Sequence, residues 1–379
     1  MIFDYETLRI IWWGFLGFFL ISFAITGGFD LGAGILLPFI AENDDEKRVV
    51  INIAGATWLG NQAWLILVIG TLFAAWPMVY AVLFSGFYLL LLLALFGLCI
   101  RALSFSYRSQ LSDQKWRNNW DKALFVGSIL PTFIFGVVFG NLLKGIPFQL
   151  ENDLSIVYLG SFWSLFSPFA LLVGLLSVSM LAMHGAVYLQ IKTEGAIQKK
   201  LKKKLPVLVF MTLGLFALAG HVITFLEGYH FISEAASNDL STPLTKFIKR
   251  EPGLWLDNYG HLPTLMAIPA TTFVSGFITI TLSRINRPGS AFIFSAIAIA
   301  TIIFTVACSL FPFIIPSSVS VNSSLTLWDA SASQNTLNML FWVTAFFLPL
   351  ITIYSNWTFR VLRGKITVKH IQKNNYTAY

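Results

Sequence analysis

Four ionisable residues interrupt the long apolar stretches of this 379-residue chain, and their side chains could do chemistry there. Asp30 lies in the segment GGFDLGAG, Arg101 ends a later apolar stretch, and His184 and His221 lie in two further ones. Ionisable groups inside a membrane are costly and are therefore candidates for function. An acid could relay protons, and two histidines could ligate a heme iron through their ring nitrogens.

A polar cluster in the segment ATWLGNQAWL is the second candidate site. Trp58, Asn61, Gln62 and Trp64 occur within about two helical turns, and Asn61 and Gln62 follow Trp58 by three and four residues. That spacing places the three side chains on one helix face. Amide groups in hydrocarbon need hydrogen-bond partners. We therefore expect this face to meet another helix, either as interhelical polar contacts or as part of a ligand or water path.

Nine apolar runs position these residues, and each is long enough to cross a bilayer, which takes about 20 residues. They lie near residues 9–39, 51–75, 78–100, 122–143, 160–190, 205–226, 262–283, 290–312 and 336–359. The chain is 56% hydrophobic and 11% charged, with a mean hydropathy of +0.73. The first run lacks a basic flank and a cleavage site, so it is predicted to be a retained span. The sequence predicts an all-α polytopic membrane protein with one integral-membrane domain, 1–379.

The basic residues predict the orientation of the chain. Nine crossings put the termini on opposite faces, and 20 of the 25 Lys and Arg residues then share the face of the C-terminus. The other face keeps Arg9, Lys144, Lys246, Lys249 and Arg250. By the positive-inside rule the C-terminus is expected to be cytoplasmic and the N-terminus external, or periplasmic. Segments 101–121 and 191–204 are then basic cytoplasmic loops, and 227–261 is an external loop.

Composition argues against several other classes of protein. The net charge of +7 is explained by cytoplasmic loops that face an anionic leaflet, and no base-stacking aromatic pattern accompanies it, so nucleic-acid binding is not predicted. Cys99 and Cys308 both lie inside spans. Without a CxxC or CxxCH motif they predict neither a disulfide framework, nor a zinc site, nor covalently attached heme.

The depths of the histidines argue against a heme held between them. His184 lies roughly 9 Å from the cytoplasmic end of its span, and His221 lies roughly 24 Å along the next one, at 1.5 Å per residue. A difference of roughly 15 Å is too large for both to ligate one iron. His230 and His261 lie in the external loop and His370 in the tail. We expect His184 and His221 to hydrogen-bond across helices or to contact a partner subunit.

Two further segments predict local structure at the external face. LFAAWPMVYA is expected to form a tight turn between the second and third spans. In TLWDASASQ, Trp328 and Asp329 are expected to start the last helix, with Asp329 or Ser331 as its N-cap.

Nine blocks along the chain resemble one family in their order and spacing. They are FDYETLRIIWW, GFDLGAG, WLGNQAWL, LFAAWPMVYAVLFSGFY, FSYRSQ, WRNNWD, FGNLLKGIPF, LFPFIIPSS and SLTLWDASASQNTL. They resemble subunit II of cytochrome bd-type quinol oxidases, and the resemblance covers residues 2 to 379. It implies a fold of two four-helix bundles and a peripheral helix.

The resemblance also implies partners and cofactors. It implies a heterodimer in the bacterial inner membrane, in which subunit I carries two b-type hemes, one d-type heme and the quinol site. Subunit II holds no heme iron of its own, which agrees with the histidine depths. The sequence leaves open which quinone is used, whether a structural quinone or lipid binds, and whether a small single-helix subunit joins. Trp64 matches the position near the mouth of the passage by which dioxygen is thought to reach the d-type heme.

The chain departs from the family pattern at three positions thought to line a cytoplasmic proton entry. Relatives usually have an acid where Gly27 stands, an acid where Leu59 stands and often a His where Thr57 stands. Asp30 is the only acid left in this neighbourhood, so Asp30 with the Asn61 and Gln62 amides would be a remnant of the path. Contacts with helices or with a partner are expected of five residues: Trp58, His184, His221, Trp328 and Asp329.

The function that follows is that of a terminal quinol oxidase subunit without heme ligands. The complex would reduce dioxygen to water with quinol electrons, and this chain would stabilise subunit I and shape the oxygen path. The alternative is a diverged membrane scaffold or a transporter without oxidase activity, which the missing acids make less remote than usual. A subunit I gene beside this one would favour the oxidase.

Overall fold

A computed structural model of the chain describes residues 3–232, 238, 241–367 and 371–372. Nine helices in these ranges are long and apolar enough to span a membrane, which confirms the all-α prediction. The helices are α1 Tyr5–Ile40, α2 Asp44–Gly55, α3 Trp58–Ala75, α4 Pro77–Gly86, α5 Tyr88–Tyr107, α6 Gln114–Lys144, α7 Pro168–Lys192, α8 Gly195–Ile223, α9 Asp257–His261, α10 Ala267–Arg284, α11 Pro288–Leu310 and α12 Gln334–Val361.

Three short antiparallel strand pairs cap one end of the helices. They are β1 Phe148–Leu150 with β2 Ile156–Tyr158, β3 Glu227–Phe231 with β4 Ile248–Pro252, and β5 Phe313–Ile315 with β6 Leu325–Thr326. β1, β3 and β5 follow α6, α8 and α11, so all three pairs lie at the end that the charge distribution assigns to the outside. The Tyr229 hydroxyl donates to the Ser317 carbonyl at 2.9 Å and ties two of the pairs together.

The spanning helices form two groups that meet at the centre. α1, α3, α5 and α6 pack as one four-helix group, and α7, α8, α10 and α11 pack as the other. α1 and α7 touch backbone to backbone, since a Cβ added to Gly32 would lie 2.0 Å from the Leu181 carbonyl oxygen. Small residues permit such close approaches in membranes. α12 is peripheral: along this fully described helix, Leu337 is the one buried residue.

Four sequence-based details were wrong. The second run divides into α2 and α3 at Thr57, and the third divides into α4 and α5 at Phe87, since neither residue has helical backbone angles. The turn expected between the second and third spans is present, because Trp76 is non-helical and Pro77 starts α4. The expected loop 101–121 shrinks to 108–113, so Arg101 lies within α5. The expected loop 191–204 is mostly the first turns of α8. α12 is capped by Ser333, whose hydroxyl accepts from the Thr336 amide, rather than by Asp329 or Ser331.

Candidate functional site

A buried ion pair joins α1 to α5. The Arg101 Nη2 lies 2.7 Å from Oδ1 of Asp30, and both side chains are almost completely buried. The other oxygen, Oδ2, accepts from Nδ2 of Asn61 on α3 at 2.9 Å. The same Asn61 nitrogen lies 3.3 Å from Oγ1 of Thr57. The Asp30 carboxylate therefore joins three helices. We call the four residues Asp30, Thr57, Asn61 and Arg101 the Asp30 cluster.

The pairing of Asp30 with Arg101 was missed in the sequence, although a signal was present. Asp30 is ten residues from the end of α1 and Arg101 six from the end of α5, depths of roughly 15 Å and 9 Å. Opposite charges inside a membrane tend to pair with each other. Within the described residues, the Arg101 Nε and the Gln62 Nε2 have no hydrogen-bond partner. The cluster thus retains one buried donor, the Arg101 Nε, and Gln62 supplies a second on the same helix as Asn61.

The three positions that depart from the family pattern lie in different surroundings. A Cβ at Gly27 would lie 2.7 Å from the Phe23 ring, so aromatic carbon fills the space of a larger side chain. Thr57 is buried and belongs to the Asp30 cluster. Leu59 is 70% exposed and points away from the helix group. An acid at position 59 would therefore face lipid or a partner rather than Asp30.

The remaining residues of the polar segment have separate surroundings. Trp58 stacks on Phe105 of α5 with ring centroids 5.8 Å apart, while Gln62 is half-buried. Trp64 is buried and packs edge-on against Phe18 of α1 at 5.9 Å. Trp58, Asn61 and Trp64 thus contact neighbouring helices.

Phe18 also lines an apolar cavity of about 660 Å³ enclosed by α1, α3, α4, α5, α6 and α11. Tyr88 and Leu95 on its rim are more than half exposed, so the cavity opens on the apolar surface of the spanning helices. Sequence periodicity gave no sign of it.

The two histidines within spans do not come together. The His184 ring nitrogens lie 2.8 Å from the Ser295 hydroxyl and 3.1 Å from the Ile25 carbonyl oxygen, which shows the expected bonds across helices. His221 is exposed near the end of α8, with its ring against Phe225 of the following turn. His230 lies 3.3 Å from Asp257, and His370 lies outside the described residues.

This geometry does not fit a heme held by His184, because both of its ring nitrogens already have partners. Among the residues described, no three His, Cys, Asp or Glu side chains form a group that could hold a metal ion.

Trp328 and Asp329 make contacts at the external face. Asp329 Oδ2 lies 2.7 Å from the Lys246 Nζ, and both side chains are almost fully buried. Burial lowers the pKa of Lys246, and the Asp329 carboxylate opposes this effect. Asp329 Oδ1 accepts from the Thr326 amide, while Trp328 packs against Phe311. Asp329 therefore fixes the external loop to the turn before α12 instead of starting that helix.

A second ion network lies where α2, α5 and α6 meet. Arg108 is buried and lies 2.5 Å from Asp121 and 2.7 Å from Asp44. Asp44 also pairs with the partly exposed Arg117 at 2.8 Å. Burial of Asp44 raises its pKa. The hydrogen bond from Arg108 and the charges of Arg108 and Arg117 outweigh this effect, so the pKa of Asp44 lies below its ordinary value. The network fixes α2 against the ends of two spans.

Arg108→Gln is expected to destabilise the protein by about 2–3 kcal/mol, because it leaves two carboxylates short of a buried partner. Arg117→Gln is the matched control, since it removes a partly exposed contact to the same Asp44 and should cost less than about 1 kcal/mol. Thermal unfolding of the purified variants checks both values. Equal losses in the two variants would contradict the special role of Arg108.

Comparison with known proteins identifies the family. The family described as cytochrome bd terminal oxidase subunit II matches residues 8–362. The chain belongs to this family. It is 44% identical to the cytochrome bd-I ubiquinol oxidase subunit 2 of Escherichia coli K12, over 99% of this chain and 100% of that one. It is 40% identical to a probable cytochrome oxidase subunit 2 of Haemophilus influenzae, again over 99% and 100%.

A solved structure supports the fold. The chain is similar to a chain in the structure of the bd oxidase from Geobacillus thermodenitrificans, with a TM-score of 0.72 and 19% identity, over 94% of this chain and 98% of that one. The resemblance seen in the nine sequence blocks is thus confirmed. The protein is a multi-span subunit of a terminal oxidase, an oxidoreductase complex, and the scaffold or transporter alternative is not supported.

Proposed function

We propose that this chain is the subunit of a quinol oxidase that carries no heme, in a complex that oxidises membrane quinol and reduces dioxygen to water. The observation that carries the proposal is the 44% identity over 99% of the chain to a ubiquinol oxidase subunit 2. The proposed partner is a subunit I that holds two b-type hemes, one d-type heme and the quinol site. A small single-helix subunit and membrane lipid are further proposed partners.

The surroundings of the histidines support the assignment of the hemes to subunit I. Axial ligation needs a histidine ring nitrogen that is free to bind iron. Both nitrogens of His184 have partners within the fold, and His221 lies near the external end of α8. The work of this chain is then to hold subunit I and to shape access to it.

Trp64 and the apolar cavity support a role in dioxygen entry. Dioxygen is apolar and partitions favourably into hydrocarbon, so a lipid-open path lined by carbon suits it. The cavity opens on the apolar surface of the spanning helices, and the Phe18 ring separates it from Trp64. We propose that Phe18 lines this oxygen passage and that Trp64, which packs against Phe18, positions that ring.

The contacts of the Asp30 cluster support a structural role for Asp30, which joins helices instead of forming the proton entry expected from the family resemblance. Both oxygens of Asp30 are engaged, by Arg101 and Asn61. Phe23 fills the space beside Gly27, and Leu59 points away. Protons for the reaction are therefore proposed to enter mainly through subunit I.

The double variant Asp30→Asn/Arg101→Gln tests the proton route. It removes the titratable proton and the buried charges together, so that no lone charge is left in the membrane. We expect the assembled complex to keep most of its quinol oxidase turnover. Loss of most turnover in a fully assembled complex would instead place Asp30 on the proton path.

The orientation completes the proposal. We propose that the N-terminus is periplasmic and the C-terminus cytoplasmic, because most basic residues lie on the side of the C-terminus. Two of these basic residues, Lys369 and Lys373, lie outside the described residues.

Co-expression with a matching subunit I tests the proposed function. The two chains should co-purify as a one-to-one complex that consumes dioxygen when quinol is supplied. The physical reason is that Gln62 is a half-buried amide within a span, and a partner surface would shield its exposed part from lipid. Co-purification without quinol-dependent oxygen consumption would overturn the proposal.

A further inference from the structure

The groove between α8 and α10 ends in exposed basic residues, which have no role in the proposed oxidase function. The exposed face of α8 carries Lys199, Lys203, Val207, Phe210 and Gly214 in steps of three or four residues. This face is basic at one end and apolar beyond it. The polarity along this face of α8 therefore matches that of one bilayer leaflet, which also changes from charged headgroups to hydrocarbon.

The neighbouring helix has the same profile at the same depth. The Phe210 ring of α8 meets the Phe277 ring of α10 edge-on, with centroids 6.0 Å apart. Lys203 precedes Phe210 by seven residues, and Arg284 follows Phe277 by seven on the antiparallel helix. Seven residues are two turns, so both cations lie roughly 10 Å beyond the ring pair. Phe210 and Phe277 are each about half exposed, so the floor of the groove is open on the surface of the chain.

Contacts across the groove fix the two helix ends together while leaving the outer cations free. The ammonium group of Lys202 donates to the Asn286 side-chain oxygen in the turn after α10. Lys200 forms no ion pair with the fully described α10 but pairs with Glu42 and Glu46 near the start of α2. Lys203 and Arg284, by contrast, are exposed and have no carboxylate within ion-pair distance in the part of the chain that the structure describes.

We propose that Lys203 and Arg284 bind the phosphate of an anionic phospholipid whose acyl chains lie over Phe210 and Phe277. Basic residues between spanning helices attract anionic headgroups, and the fork of an arginine matches phosphate oxygens. Lys199 adds positive charge one turn beyond Lys203. The site belongs to the cytoplasmic leaflet if the proposed orientation holds, whereas lipid binding itself depends on neither the orientation nor the oxidase activity.

The test uses the assembled complex in detergent, titrated with phosphatidylglycerol or with phosphatidylcholine, with bound lipid counted by native mass spectrometry. The variant is Lys203→Gln/Arg284→Gln. The control is Lys115→Gln/Lys122→Gln, which removes two exposed cations from α6 on the same side of the membrane. We expect the variant to lose affinity for phosphatidylglycerol by roughly fivefold per cation, or on the order of 25-fold, with phosphatidylcholine binding unchanged.

The control and a charge-preserving swap make the outcome decisive. Lys203→Arg/Arg284→Lys should keep the preference for phosphatidylglycerol, and the α6 control should keep wild-type affinity. Equal losses in variant and control would mean that only the overall charge attracts lipid, and the site would be rejected. Unchanged affinity in the Lys203→Gln/Arg284→Gln variant would reject it as well.

Discussion

Arg101→Met is expected to destabilise the protein by about 3–5 kcal/mol, the largest effect of any single substitution considered for this chain. The change leaves the Asp30 carboxylate buried without its counter-charge, and the Asn61 amide alone cannot offset the cost of desolvation. The loss should be visible as a lower thermal unfolding temperature and a lower yield of assembled complex. Loss of the pair would also release α5 from α1.

The neutral double variant separates charge pairing from packing. Asp30→Asn/Arg101→Gln keeps polar side chains at both positions and removes both charges, so it should recover most of the stability that Arg101→Met loses. If the double variant is as unstable as Arg101→Met, then the two residues stabilise the fold by shape rather than by their charges, and the ion-pair explanation is wrong.

The spans could be predicted because hydrocarbon imposes a strong constraint on sequence. A spanning helix needs a long apolar run whatever its neighbours are, and each of the nine runs overlaps one of the spanning helices. Interruptions within a run were harder to predict. The break at Phe87 between α4 and α5 involves residues as apolar as their surroundings, so hydropathy carries no signal there.

Neighbour relations between helices could not be obtained from one sequence. Asp30 and Arg101 are 71 positions apart and Lys246 and Asp329 are 83 apart, and their pairing depends on which helices and loops pack together. The exposure of Leu59 could not be predicted for the same reason. Residue spacing shows which side chains share a helix face, but the packing of the helices decides which face is buried. Asn61, by contrast, could be predicted to need a partner from its amide alone.

The capping error at Asp329 shows how tertiary contacts override local preference. Asp is a favoured N-cap, but here one oxygen accepts from the Thr326 amide and the other lies against Lys246. Among the described residues, Ser333 has no such long-range hydrogen bond, and it caps α12 through the Thr336 amide.

The most direct measurement of the proposed role is the heme content of the purified chain, alone and with subunit I. With both ring nitrogens of His184 engaged, the chain alone should give a reduced-minus-oxidised spectrum without a stoichiometric heme band. The complex with subunit I should show b-type and d-type bands and oxidise quinol. A stoichiometric b-type band in the chain alone would contradict the assignment of all hemes to subunit I.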